Sequence, residues 1–307
     1  IRQWAAMGSL GDDYPLKYTW INIQNKQPVS DKKINKEKKQ LPEDKFNKKY
    51  RKRYDQLVAA SRFLTKIWNA FRFLKINLDK IELSEIKVDV ETLSPVECHF
   101  FSEFNANLKE VTEFFDEYNW HEAFMILRPF FWNELCDNYI EAIKYRFYEE
   151  DKAVKKAALQ NALNLFFKML RIFSFIMPYI TEEIYHVIFK EFLELDSIHQ
   201  SEWPGPYKGI SETKAQQGEL GIKLIQNLRK NKSELQIPLN EELERVIVLV
   251  NNKSQAEALH HLKGDISNTI RIKSLEVQNK SKKADIEGEP TLKDDYKDLN
   301  IEIYLYK

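Results

Sequence analysis

The sequence predicts a mainly α-helical protein: a helix bundle followed by a small α+β C-terminal domain. Three observations carry that expectation. Between residues 54 and 205, five stretches repeat apolar side chains at helical spacing. Ser201 to Gly209 then interrupts the pattern with a rigid Trp-Pro-Gly-Pro turn. Beyond it, β-branched and alternating runs take over, as a small mixed domain requires.

Taken in chain order, residues 1–23 read as the tail of a preceding region, because Ile1 opens inside an ongoing element and suggests part of a longer polypeptide. Residues 24–53 are a lysine-rich insertion with twelve Lys/Arg against four acids, a net +8. Few apolar residues and two prolines predict that 24–49 is a mobile, solvated loop unable to offset its ordering entropy. Leu57, Leu64, Ile67, Phe71 and Leu74 mark the first bundle helix. The second starts at Ser94 as N-cap, with Pro95 at the first helical position and Glu97 completing a capping box. It continues through Phe101, Phe104, Leu108, Val111 and Phe115.

Asn119 and Glu122 open a third helix that reaches about Phe147, with a kink expected at Pro129. A fourth helix runs from Lys152 to Met177, and Thr181 is expected to cap a fifth that extends to about Phe192. These elements make residues 54–205 a bundle. In the smaller domain, 211–307, a helix over 211–231 precedes a strand at Arg245–Asn251 and a helix over 254–262. Runs alternating at period two, Ile270–Val277 and Asn300–Tyr306, supply further strands.

Composition narrows the chemistry. Eight glycines in 307 residues leave little material for phosphate-cradling loops, which argues against nucleotide binding in this stretch. The two cysteines, Cys98 and Cys136, form no Cys-x-x-Cys, and the six histidines show no pair at metal-ligand spacing, so no metal site is assigned. No Gly-x-Ser-x-Gly, P-loop or Gly-x-Gly-x-x-Gly motif appears, so no catalytic residue is assigned either. Without a membrane-length apolar run or a signal peptide, a cytoplasmic protein with no membrane partner is expected. Charge is segregated. Residues 79–119 hold eleven acids and three lysines and would repel a phosphate backbone, whereas Ile222–Lys232 carries Lys223, Arg229, Lys230 and Lys232 without an acid.

On a wheel of about 100° per residue, Arg62, Lys66, Asn69 and Phe73 fall within one narrow stripe. Leu64, Ile67, Trp68 and Phe71 fall opposite, as a core-facing stripe. A ring beside an amide and cations suits single-stranded RNA: the ring stacks a splayed base, the amide meets a base edge and the cations meet phosphates. The alternative is that Phe73 packs beneath a neighbouring helix or the insertion. Arg72, off the stripe by about 100°, can reach a phosphate or an acid on an adjacent helix.

Four motifs also resemble a known family. Lys66–Phe73, Phe131–Glu141, Pro178–Tyr185 and Ser201–Pro204 occur in the order found in the C-terminal part of valyl-tRNA synthetases, which are class I aminoacyl-tRNA synthetases. Arg2–Ala6 with Leu10–Asp13, and Arg229–Glu234, also fit. The resemblance implies a helix-bundle anticodon-binding domain that serves an enzyme attaching valine to its tRNA with ATP and Mg. It gives Lys66, Asn69, Arg72 and Phe73 an RNA-contact role and Trp68 a core-anchoring one. Phosphate contacts are expected from Arg62, Lys66, Arg229, Lys230 and Lys232. Neither catalytic signature occurs, since there is no His-x-Gly-His and Lys280–Lys283 is a misplaced echo of Lys-Met-Ser-Lys-Ser. Catalytic and editing domains are therefore expected upstream in the same polypeptide, with valine tRNA as partner. The competing readings are an isoleucyl- or leucyl-type fragment and a helical scaffold that docks a protein.

Overall fold

The computed structural model describes residues 18–280 and 288–307. The motif matches at residues 2–13 and most of the 280–283 echo lie outside them. Among the described residues no helix is long and apolar enough to cross a membrane.

The lysine-rich insertion is folded, which corrects the expected loop. Strands β1 (Tyr18–Asn22), β2 (Pro28–Val29) and β3 (Tyr50–Tyr54) form an antiparallel sheet in the order β2-β1-β3, with helices α1 (Asp31–Gln40) and α2 (Glu43–Lys49) between β2 and β3. Ile34, Phe46 and Tyr50 are buried and pack with Trp20, Val29 and Leu41. A handful of apolar side chains, widely spaced in sequence, suffices because each helix and the sheet contributes to one small cluster.

The bundle follows. Helix α3 spans Asp55–Leu78 and α4 spans Pro95–Asp116, with the expected start: Ser94 Oγ accepts from Glu97 N at 3.3 Å, and Glu97 Oε2 accepts from Ser94 N at 2.9 Å. Helix α5 (Trp120–Pro129) does not break at Pro129. It runs on as a π-helical segment, Phe130–Tyr139, into α6 (Ile140–Ile143) and a 3₁₀ turn. Pro129 lacks an N–H and leaves one carbonyl of the preceding turn without its usual donor, and the widened turns that follow carry the chain onward. Helix α7 spans Lys152–Ser174.

Helix α8 spans Pro178–Ile184, with Pro178 in its first turn. Thr181 is inside it rather than capping it; its buried hydroxyl donates to Met177 O at 3.0 Å. Phe63 sits at the centre of the bundle, its ring 5.6–5.7 Å from Phe124, Phe131 and Phe173 and fully buried.

The proline-rich stretch is held against the bundle. Trp203 Nε1 donates to Thr112 Oγ1 at 2.9 Å, Lys168 Nζ donates to Gly205 O, and Tyr207 stacks on Phe101 at 4.2 Å. Helix α9 (Glu212–Glu234) then packs along α4. At Gly218 a Cβ would lie 2.0 Å from the Pro95 carbonyl oxygen, so only glycine permits this approach.

Strand β4 (Leu243–Val250), helices α10 (Lys253–His261) and α11 (Lys263–Ile270), and strands β5 (Ile272–Asn279), β6 (Leu292–Tyr296) and β7 (Ile301–Tyr306) complete the chain. Their sheet has the order β5-β4-β7-β6; β4 and β5 are parallel and the other pairs antiparallel. One apolar core runs through the bundle and into this sheet, and it fixes where α9 lies relative to α3.

Candidate nucleic-acid interface

Helix α3 supplies the first half of the interface. Among its described side chains the buried ones are Ala60, Phe63, Ile67, Ala70, Phe71, Leu74, Asn77 and Leu78, so its core face is centred nearer Leu74 than the expected stripe of Leu64, Ile67, Trp68 and Phe71. Two corrections follow. Trp68 does not anchor the core; it is 37% exposed, its ring 4.7 Å from Phe71. Phe73 does not point away from the interior. It lies on the flank of the core face, half-buried, with its ring 5.7 Å from the buried Phe147. Arg72 is exposed.

Arg62, Lys66 and Asn69 are brought together as the stripe predicts. With Val58, Ser61, Thr65 and Trp132 they line a groove of about 480 Å³. Trp132, part of the Phe131–Glu141 motif, forms one wall, and Lys66 Nζ lies 5.2 Å from its ring centroid. The same ammonium is 2.5 Å from Asp137 Oδ1. An α-helical wheel would set Trp132 and Asp137 about 140° apart. Both reach Lys66 because they lie on the π-helical segment, whose wider turn brings residue i+5 round towards i.

Asp137 also reaches the second half of the interface. Its backbone carbonyl accepts from Arg229 Nη1 of α9 at 2.9 Å. Burial lowers the Arg229 pKa from its usual value, with Asp137 and Glu141 opposing that shift. Beside it, Arg229 and Lys230 line a groove of about 530 Å³ with Ser233, Gln236, Ile237, Pro238 and Leu239. Lys230 projects into solvent, 72% exposed and 3.8 Å from Glu234.

Lys232 is not part of this surface. It is fully buried, and its Nζ donates to the carbonyls of Leu239 (3.3 Å), Glu241 (2.5 Å) and Ile270 (2.9 Å). Burial lowers its pKa, partly offset by Glu241. Such an ammonium ties three backbone segments together and is closed to phosphate.

Cys136, next to Asp137, is buried, and burial pushes its thiol up to about 12, away from thiolate character. The grooves offer cations, an amide and an indole, the groups that hold a phosphate backbone and stack a base.

Comparison with known proteins agrees with that character. Residues 98–248 match the family model described as the anticodon-binding domain of tRNA ligase. The valine-tRNA ligase of Pyrococcus horikoshii is 33% identical over 234 residues, 76% of this chain and 25% of the relative. That of Pyrococcus abyssi is 32% identical over the same shares, and that of Methanothermobacter thermautotrophicus 32% over 213 residues, 69% and 23%. The chain thus spans about a quarter of the length of these curated relatives.

Proposed function

Because the chain belongs to the family of tRNA ligases through its anticodon-binding domain, we propose that it is the anticodon-reading part of a valine-tRNA ligase. It contributes tRNA affinity and discrimination to the ATP- and Mg-dependent attachment of valine. The chemistry itself is assigned to catalytic and editing domains elsewhere in the polypeptide, since the matched 234 residues are only 25% of the Pyrococcus horikoshii relative. Valine tRNA is the partner, and the cytoplasm the place of work.

The observation that carries this reading is Asp137. Through one residue, the groove on α3 and the groove on α9 become neighbours, so Arg62, Lys66, Asn69, Arg229 and Lys230 serve one continuous surface. Cations along open grooves are how a phosphate backbone is held, and Trp132 and Phe73 are the rings near it that a splayed base can meet. Lys232 is withdrawn from the set.

The test is a titration of a valine tRNA transcript across a salt series, beside a transcript whose anticodon is swapped for another amino acid's. Affinity should fall steeply with salt, by a slope of roughly −0.7 to −0.9 per phosphate contact, and the swapped transcript should bind more weakly. Salt-independent binding would point to an apolar protein-docking face. Preference for the swapped anticodon would keep the family and change the amino acid.

A further inference from the structure

In the free protein, Lys66, one of the two cations lining the groove on α3, already has a carboxylate. Lys66 Nζ is held between Asp137 Oδ1 at 2.5 Å and the Trp132 ring, 5.2 Å to its centroid. The carboxylate is not buried. The Asp137 side chain is 51% exposed and that of Lys66, which lines the groove, 26%, so the pair is open to solvent. We propose that Asp137 is an electrostatic gate, a positioning residue that occupies Lys66 until a phosphate displaces it. This rests on the RNA-binding reading above and deepens it.

Three features favour a gate over a fixed brace. A pair this exposed is weakly held and screened by salt, so a polyanion can exchange with it. The tether to α9 runs through the Asp137 backbone carbonyl, which Arg229 holds at 2.9 Å, so the carboxylate can turn away while the main chain stays in place. Until it turns, it presents a negative charge to any strand entering the groove. Non-specific RNA, bound chiefly through phosphates, is thereby penalised, while a strand that also gains ring and amide contacts can still open the pair.

The experiment uses the 307-residue chain, with a valine tRNA transcript and an unrelated single-stranded RNA as probes. Asp137→Asn removes the charge and leaves the carbonyl that Arg229 uses. It should tighten binding several-fold at low salt, more for the unrelated RNA than for the tRNA. The log–log salt slope should steepen by about 0.7 to 0.9, the contribution of one added cation. In a Lys66→Met background, where only the carboxylate's own repulsion is left to remove, the same substitution should leave the slope unchanged and give a clearly smaller gain in affinity, a non-additivity that a purely structural role would not produce.

Weaker binding by Asp137→Asn, an unchanged slope, or an equal gain in the Lys66→Met background would overturn the gate. Failure of the RNA reading itself would show separately, as absence of salt-dependent tRNA binding by the unaltered chain, and would remove the gate with it.

Discussion

Lys232 Nζ lies 2.9 Å from the carbonyl oxygen of Ile270, thirty-eight residues away, and so joins the end of α9 to the end of α11. Two residues earlier, Lys230 stands in solvent. Cations in one sequence run thus have opposite tasks. Lys232→Met should leave the buried Ile270 carbonyl, and the part-buried carbonyls of Leu239 and Glu241, short of a donor, at about 1–3 kcal/mol for a buried group left unsatisfied. Urea unfolding measures this directly, and the salt slope for tRNA should not move. Lys230→Ala should show the reverse, with unfolding unchanged and a slope shallower by about 0.7 to 0.9.

Arg146 makes the second long-range tie. Its guanidinium is 2.6 Å from Asp265 of α11 and 3.4 Å from Glu97 of the α4 capping box, and all three side chains are nearly buried. Tyr145 donates to Asp265 at 2.6 Å and Asn161 to Glu97 at 2.9 Å, so the bundle and the C-terminal domain share one polar network. Arg146→Met strands two buried carboxylates and should cost about 3–5 kcal/mol. Asp265→Asn keeps an acceptor for Tyr145 and leaves Arg146 its contact with Glu97, and should cost less. Unfolding midpoints of the two variants in urea, at matched m-values, check the order; equal costs would refute it.

Lys168 gives a pH dependence. Its ammonium sits 3.7 Å from the Tyr207 ring centroid, and burial, with Arg171 adding repulsion, pushes its pKa down to about 8. The unfolded chain keeps that proton to about pH 10.4. Between those values the unfolded state binds more protons than the folded one, so this residue's contribution makes stability rise with pH across the window and level off above it. Below pH 8 both states are protonated and the contribution is flat. The difference in unfolding free energy between the native chain and Lys168→Met, followed from pH 7 to pH 10.5, isolates the effect; a difference falling through that range would contradict it.

The features legible in the sequence are those set by neighbours along the chain. The Ser94–Glu97 capping box depends on four consecutive residues, and the β-branched run of β4 on eight. The insertion was misread because Ile34, Phe46 and Tyr50 meet only after two helices and a sheet bring them together. Lys232 carried a signal that its charge obscured: with Ile225 and Leu228 it keeps a 3–4 spacing, which places it on the buried stripe of α9. The link from Trp132 to Asp137 could not be seen on an α-helical wheel, because it depends on a change of helical pitch. Arg62, Lys66 and Asn69 came together because one regular helix carries all three.

Phe73 is the remaining test of decoding. Its ring is half-buried against Phe147, while Tyr148, the next residue, is 64% exposed with Lys80 Nζ 5.9 Å from its ring centroid. If an anticodon base stacks on the accessible part of Phe73, Phe73→Ala should weaken binding of a valine tRNA by about 1–3 kcal/mol. The same change also removes packing against Phe147, so Phe73→Leu is the needed partner, since it keeps much of the apolar volume and lacks the ring. Loss of affinity in both variants, with the unfolding midpoint of Phe73→Leu close to that of the native chain, assigns the contact to stacking. Native affinity in Phe73→Leu assigns Phe73 to the core alone, and moves the search for a base platform to Trp132 and Trp68, the other accessible rings on or facing α3.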